Sequence, residues 1–203
     1  VSVALTLDAL RTELMTGRTP ITDAYRAKML HPIPEAEVVK REGFLLDLCR
    51  GRRVLEFGAS GPMHDAIVKI AADVTGVDLA PADGVLGFDL DDVTQLTLPA
   101  CDAPEIIVCG EVLEHLGNPG WFLTRLRQQW PGVPVVITVP NAFCEVGRRS
   151  VLAGVEQVNK DHVAYYSWKT LSVLLARVGY TPQTFAWYKG SPRTAEGLIM
   201  VVE

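Results

Sequence analysis

The sequence predicts an α/β fold, with a doubly wound, mainly parallel sheet that carries helices on both faces and closes on an antiparallel C-terminal strand pair. Three observations predict it. From Arg53 onward, short apolar runs alternate with segments of helical spacing, the pattern of a sheet covered on both sides. "VPVVITVPN" (133–141) is a continuous apolar run of the kind buried on two faces. The last two apolar runs have no helix between them, so they read as an antiparallel closing pair.

Taken in order, "RVLEFG" (53–58) reads as the first strand, and "MHDAIVKIAA" (63–72) as the helix after its glycines. "VTGVDL" (74–79), "GVLGFDL" (84–90) and "EIIVCG" (105–110) follow as strands. "WFLTRLRQQW" (121–130) is helical, and "WKTLSVLLARVGY" (168–180) is an amphipathic helix that Gly179 should end in the left-handed region. "TPQTFAWYK" (181–189) and "GLIMVVE" (197–203) close the sheet. Residues 1–52 are expected to form an N-terminal helical cover, residues 53–203 the core, and residues 142–167 an acceptor-side lid.

The chain has 203 residues, 48% of them apolar and 21% charged, as befits one globular domain with a single core. No run approaches the roughly 18 unbroken apolar residues of a membrane span. "VSVALTLDALRTEL" lacks the basic start and long apolar block of a signal peptide, and reads as an amphipathic segment. Cys49, Cys101, Cys109 and Cys144 form no CxxC pair, so the expectation is reduced thiols in the cytoplasm. Net charge is −5 and no basic stripe stands out, which favours a small-molecule partner over RNA. Nothing in the sequence specifies an oligomeric state.

Ligands in such folds bind beyond the carboxyl ends of the strands. The first strand ends in "EFGASGP", where Gly58 and Gly61 allow close backbone approach and Pro62 suits a helix start. Asp78 ends the second strand, placed to accept hydrogen bonds from ribose hydroxyls. Asp89 ends the third. Each acid alone reads equally well as a cap or a loop residue, but acids at successive strand ends read as a nucleotide edge. No G-x-G-x-x-G loop occurs, which argues against a nicotinamide oxidoreductase.

"VLEFGASG", "VTGVDL", "GFDLDD", "EIIVCGEVLEHLGNP" and "VVITVPN" resemble, in order and spacing, the class I S-adenosylmethionine-dependent methyltransferases, over roughly residues 53–180. The resemblance implies a Rossmann-like sheet and S-adenosyl-L-methionine as cofactor. It implies that Glu56, Gly58, Ala59 and Gly61 meet the methionine part, Asp78 and Leu79 the ribose, and Asp89 and Leu90 the adenine. The backbone of Cys109 and Gly110 is then expected beside the methionine end. One departure is that Ser60 and Pro62 stand where the usual loop has glycine.

After the fourth strand, Glu111, Glu114 and His115 stand at i, i+3 and i+4, one face of a helix if the first turn begins there. Such a face is either a site or a solvated helix start with charge near its positive end. The E-x-x-E-H pattern with a later His162 is similar to two relatives, the small-RNA 3′-terminal 2′-O-methyltransferases and the ubiquinone-pathway O-methyltransferases. Carried over by position, Glu111, Glu114, His115 and His162 are the implied ligands of Mg²⁺ or Mn²⁺. Without a metal, His162, His115 and Glu111 are the candidates for proton transfer. A purely structural histidine is the third reading. Tyr165, Tyr166 and Trp168 are candidates for an acceptor wall or for core, and Asn141 sits at a strand end beside it. The expected activity is O-methylation of a small-molecule hydroxyl (a sugar, natural product or phenol). The alternatives are 2′-O-methylation of an RNA 3′ end and a non-catalytic cofactor-binding scaffold.

Overall fold

The computed structural model describes residues 23–203 except Asp102, so the amphipathic reading of the first fourteen residues lies outside the described residues. The chain divides into two compact units, residues 1–32 and 33–203. The first contributes one described helix, α1 (Asp23–Lys28), with an exposed Arg26–Asp23 pair. No helix among the described residues is long and apolar enough to cross a membrane.

The second unit is built on one eight-stranded sheet. Its strands are β1 (Val38–Val39), β2 (Arg53–Phe57), β3 (Asp73–Asp78), β4 (Val85–Gly87), β5 (Ile106–Gly110), β6 (Val135–Pro140), β7 (Pro182–Tyr188) and β8 (Gly197–Val202). Their order across the sheet is β1-β7-β8-β6-β5-β2-β3-β4. β2 to β6 pair in parallel, while β8 runs antiparallel between β6 and β7. The predicted fold class is the observed one.

Alternation along the strands sorts the core onto two faces. On one face Leu55, Phe57, Ile107, Cys109, Ile137 and Val139 pack against α4 (Pro119–Gln129) and α6 (Trp168–Arg177). On the other, Val54, Ile106, Val108 and Val136 meet α2 (Arg41–Cys49) and α3 (Gly61–Ile70). β6 is therefore buried on both sides, as its unbroken apolar run demands. The helices start on local signals. Asn118 Oδ1 accepts from Trp121 N at 3.1 Å just before Pro119, and Ser167 and Thr170 form a capping box for α6. Gly179 takes φ +89° after α6, as expected.

Three elements differ from the sequence reading. Val38–Val39 pairs with Trp187 and Tyr188 of β7, so residues 33–52 carry an edge strand as well as α2 and belong to the sheet-bearing unit. The strand expected over 84–90 covers only Val85–Gly87, because the chain then folds into side-chain-braced turns: Asp89 Oδ1 accepts from Asp91 N, and Asp92 Oδ1 from Thr94 N. Within 142–167 lies a helix, α5 (Glu145–Leu152), and the segment beyond it is tied down, with Val163 N and Ala164 N both donating to Glu114 O.

The turns after β4 rest on Arg125 of α4, 1% exposed, whose guanidinium donates to the carbonyls of Gln95 (2.8 Å), Asp92 (3.4 Å) and Leu90. Removing it leaves three carbonyls without their donor. Arg125→Met should cost about 2–4 kcal/mol in urea unfolding, and should weaken binding of a cofactor that lies against Leu90.

Candidate active site

The chain reverses direction across the sheet between β2 and β5, since β3 and β4 add on one side and β6 on the other. Ligands of open α/β sheets bind at such a switch point. Here a cleft of about 700 Å³ opens over the carboxyl ends of β2, β3 and β5, a size typical of small-molecule sites. Gly58 crosses the switch point with φ +76°. A β-carbon there would lie 2.7 Å from Val112 Cγ2, so only glycine fits. Gly61 also keeps a left-handed backbone, φ +66°, and Ser60 between them is extended. The loop thus holds its bend despite Ser60 and Pro62.

Glu56, Gly58, Asp78, Leu79, Asp89, Leu90 and Gly110 all line the cleft. Ala59 and Gly61 do not: Ala59 is buried against the backbone of Gly76. The Cys109 side chain points into the core, where burial pushes its thiol pKa up. Asp78 and Asp89 each spend one carboxylate oxygen on their own turn, at 2.9 Å to Ala80 N and to Asp91 N. The other oxygen of each accepts from no described residue. Glu56 is 3% exposed and meets His64 Nδ1 at 2.7 Å through Oε2. Burial raises its carboxyl above the usual range, and His64 and Arg41 oppose that shift. His64 had no spacing to mark it; the first turns of α3 bring it back over β2.

Glu111 does not open a helix. It takes φ +58°, and a short 3₁₀ turn, Leu113–His115, follows. Its Oε1 accepts from Tyr188 Oη at 2.7 Å and from Thr138 Oγ1 at 2.8 Å, with Arg41 Nε at 3.8 Å. Burial and the Glu111 carboxylate hold the Tyr188 phenol above its usual pKa. These contacts replace the expected shared helix face. Glu114, His115 and His162 do converge, with ligand atoms all within 4.8 Å of one another. The two imidazoles meet edge to face at 4.7 Å, and His115 Nδ1 lies 3.2 Å from Asp161 O. Burial, then the neighbouring His115, holds His162 below the usual imidazole pKa, favouring its neutral form. Glu114 is 1% exposed, and neither carboxylate oxygen has a hydrogen-bond partner among the described residues. Burial and the nearby Glu111 push its pKa up to about 8.

The flanking aromatics divide. Tyr166 is buried and donates to Leu113 O at 3.3 Å, while the exposed Tyr165 hydroxyl donates to Glu156. Asn141 braces its own loop through Ala195 O and Phe143 N. Arg41, Thr138 and Tyr188 had no local signal, because their meeting spans 97 residues in one hydrogen bond and 77 in another.

Comparison with known proteins agrees with this geometry. A family profile described as "Methyltransferase domain" matches residues 29–184, and the chain belongs to that family. Its fold is shared by S-adenosylmethionine-dependent methyltransferases of known structure. Among solved structures it is similar to the small RNA methyltransferase HEN1, with TM-score 0.63 and 17% identity; the match covers 98% of this chain and 31% of that one. A SAM-dependent methyltransferase from Archaeoglobus fulgidus gives TM-score 0.60 and 14% identity over 97% of this chain and 99% of that one. The 1,6-didemethyltoxoflavin-N1-methyltransferase of Burkholderia thailandensis, solved with bound 1,6-didemethyltoxoflavin and S-adenosylhomocysteine, gives TM-score 0.58 and 14% identity, covering 100% of this chain and 92% of that one. No sequence among the curated proteins matches.

Two predictions follow from the geometry. Gly58→Ala should abolish measurable S-adenosylhomocysteine binding in calorimetry while the far-ultraviolet spectrum is retained. In chelator-treated protein, Glu114 titrates near 8 when folded against 4.5 ordinarily. Its stabilising contribution is therefore complete below about pH 4.5 and is lost as pH rises through 8. Glu114→Gln should remove roughly 2–4 kcal/mol of the wild-type stability loss between those values, read by urea unfolding at pH 5 and pH 8.5.

Proposed function

We propose that the chain methylates a hydroxyl group of a small molecule, with a divalent cation, Mg²⁺ or Mn²⁺, held by Glu114, His115 and His162. The observation that carries the reading is the Glu114 carboxylate, buried without a hydrogen-bond partner and faced by two imidazoles. A buried carboxylate in that condition is costly unless a cation or proton meets it. Mixed carboxylate and imidazole donors suit a hard or borderline divalent ion with positions left for acceptor oxygens. Such an ion would supply Lewis acidity that lowers the pKa of a bound hydroxyl. Glu111, expected as a fourth ligand, is engaged elsewhere.

The chain's own residues do the rest. The Gly58 and Gly110 backbones bring the donor's methionine end to the switch point, and Asp78 and Asp89 fix its nucleoside. Alignment of donor and acceptor is worth about 7–11 kcal/mol when the approach is in line. Without an ion, His162, whose neutral form burial and His115 favour, is the group assigned here to take the hydroxyl proton. A small acceptor is favoured over an RNA end by the lining of the cleft, six carboxylates against one guanidinium, which repels a polyanion. The RNA reading keeps one support, the E-x-x-E-H pattern with His162. The scaffold reading leaned on Ser60 and Pro62, and loses that support where Gly58 and Gly61 keep the bend.

The test is incubation with labelled S-adenosylmethionine and pooled sugars, phenols and polyketides alongside RNA oligonucleotides, with Mn²⁺ or with chelator. Label should enter a small hydroxyl compound and disappear in chelator, and His162→Ala should lower the rate on the order of 10²-fold. Full activity in chelator would sink the metal, label on RNA 3′ ends would favour the second reading, and no cofactor binding the third.

A further inference from the structure

His64 takes no part in the chemistry proposed above, yet it is built into the carboxyl end of β2. Its side chain is 15% exposed, and its Nδ1 meets Glu56 Oε2 at 2.7 Å. An ionised carboxylate can only accept, so Nδ1 carries the proton and donates it. The ring also has a slot. Gly76 stands beside Glu56 in the β2–β3 register, and a β-carbon on Gly76 would lie 3.1 Å from His64 Cε1. Glycine inside a strand marks such a close approach, and the imidazole occupies the room it leaves.

Glu56 depends on that donor. It is buried and lines the cleft. Its register partners on the flanking strands are Gly76 and Val108, and neither has a side chain that can donate. Among the described residues, the titratable and charged groups facing it are His64 from α3, and Arg41 and Cys49 from α2. Burial raises the Glu56 carboxyl, and the His64 hydrogen bond leads the effects that oppose the rise, while Arg41 acts by charge alone. The Cys49 thiol is pushed up to about 12 by burial and then by the Glu56 charge, so it brings no positive charge. A buried carboxylate stays ionised only where donors or cations meet it. Glu56 Oε2 has its donor in His64, and Oε1 accepts from no described residue.

We propose that His64 is a positioning residue for the cofactor: by donating to Oε2 it fixes the Glu56 carboxylate so that Oε1 meets the ammonium of the amino-acid end of S-adenosylmethionine. The inference rests on the methyltransferase reading and on Glu56 lying at that end, and stands apart from the acceptor and from any ion. Protonation of Glu56 removes its charge, so affinity for the ammonium is lost as pH falls. Without the His64 donor that loss begins at higher pH.

Calorimetry across pH tests it with two ligands, S-adenosylhomocysteine and methylthioadenosine, which lacks the amino-acid end. His64→Leu should weaken the first by about five-fold or more at neutral pH and leave the second within about two-fold. It should also move the acid-side loss of S-adenosylhomocysteine affinity to higher pH. His64→Asn offers an amide N–H near the place of Nδ1 and should fall between wild type and His64→Leu; it carries the test if His64→Leu fails to fold. In the wild-type chain, nitrogen-15 spectra of the imidazoles, assigned with His64→Asn, should show His64 protonated at Nδ1. Equal losses for both ligands, an acid limb that stays or moves to lower pH, or a His64 proton on Nε2 alone would overturn the inference. No binding of S-adenosylhomocysteine by the wild-type chain would overturn the cofactor reading, and the inference with it.

Discussion

The close passage of Gly58 beneath Val112 is the constraint on which the rest of the site depends. The two residues follow β2 and β5, the strands between which the chain changes direction across the sheet. With no side chain on Gly58, the β2 loop lies flat enough for the cleft to open above it, and the ends of β3 and β4 add the acidic edge beside it. β5 delivers Gly110 to the same place and then turns sharply at Glu111. The cleft and the Glu114 cluster are thus set within a few residues of one strand end.

Charge is distributed to match that geometry. The cleft lining, six carboxylates against one guanidinium, suits a ligand that carries positive charge. On the other side of Glu111, the buried Glu114 sits with imidazoles rather than arginines. The two carboxylates stand three positions apart yet belong to different polar groupings. One is satisfied by hydroxyl donors, while the other has none among the described residues. That contrast, more than proximity, separates their roles.

Much of this was legible in the residue order, and the illegible part has a physical reason. Asp78 and Asp89 could be placed at the cleft because an apolar run stopping at an acid is a local event, although β4 itself ends two residues before Asp89. β6 was readable because burial on two faces leaves no polar position. Glu111 was misplaced because i, i+3, i+4 spacing assumes a helix, whereas its backbone is turned by hydroxyls from Thr138 and Tyr188, 27 and 77 residues away. Arg41 escaped notice for the same reason, since nothing in "VVKREGF" shows that its partner lies on β6. His64 had only its position in α3, and folding alone revealed the carboxylate beneath it.

The carbonyl of Glu114, which takes the amides of Val163 and Ala164, gives the molecule a division of labour. Main-chain bonds carry no side-chain information, so this join is indifferent to what residues 143–158 happen to be. Those residues expose Phe143, Val146, Val151, Leu152 and Val155 to solvent. Side-chain changes in that exposed stretch therefore do not touch the main-chain join that seats Val163 and Ala164 against Glu114.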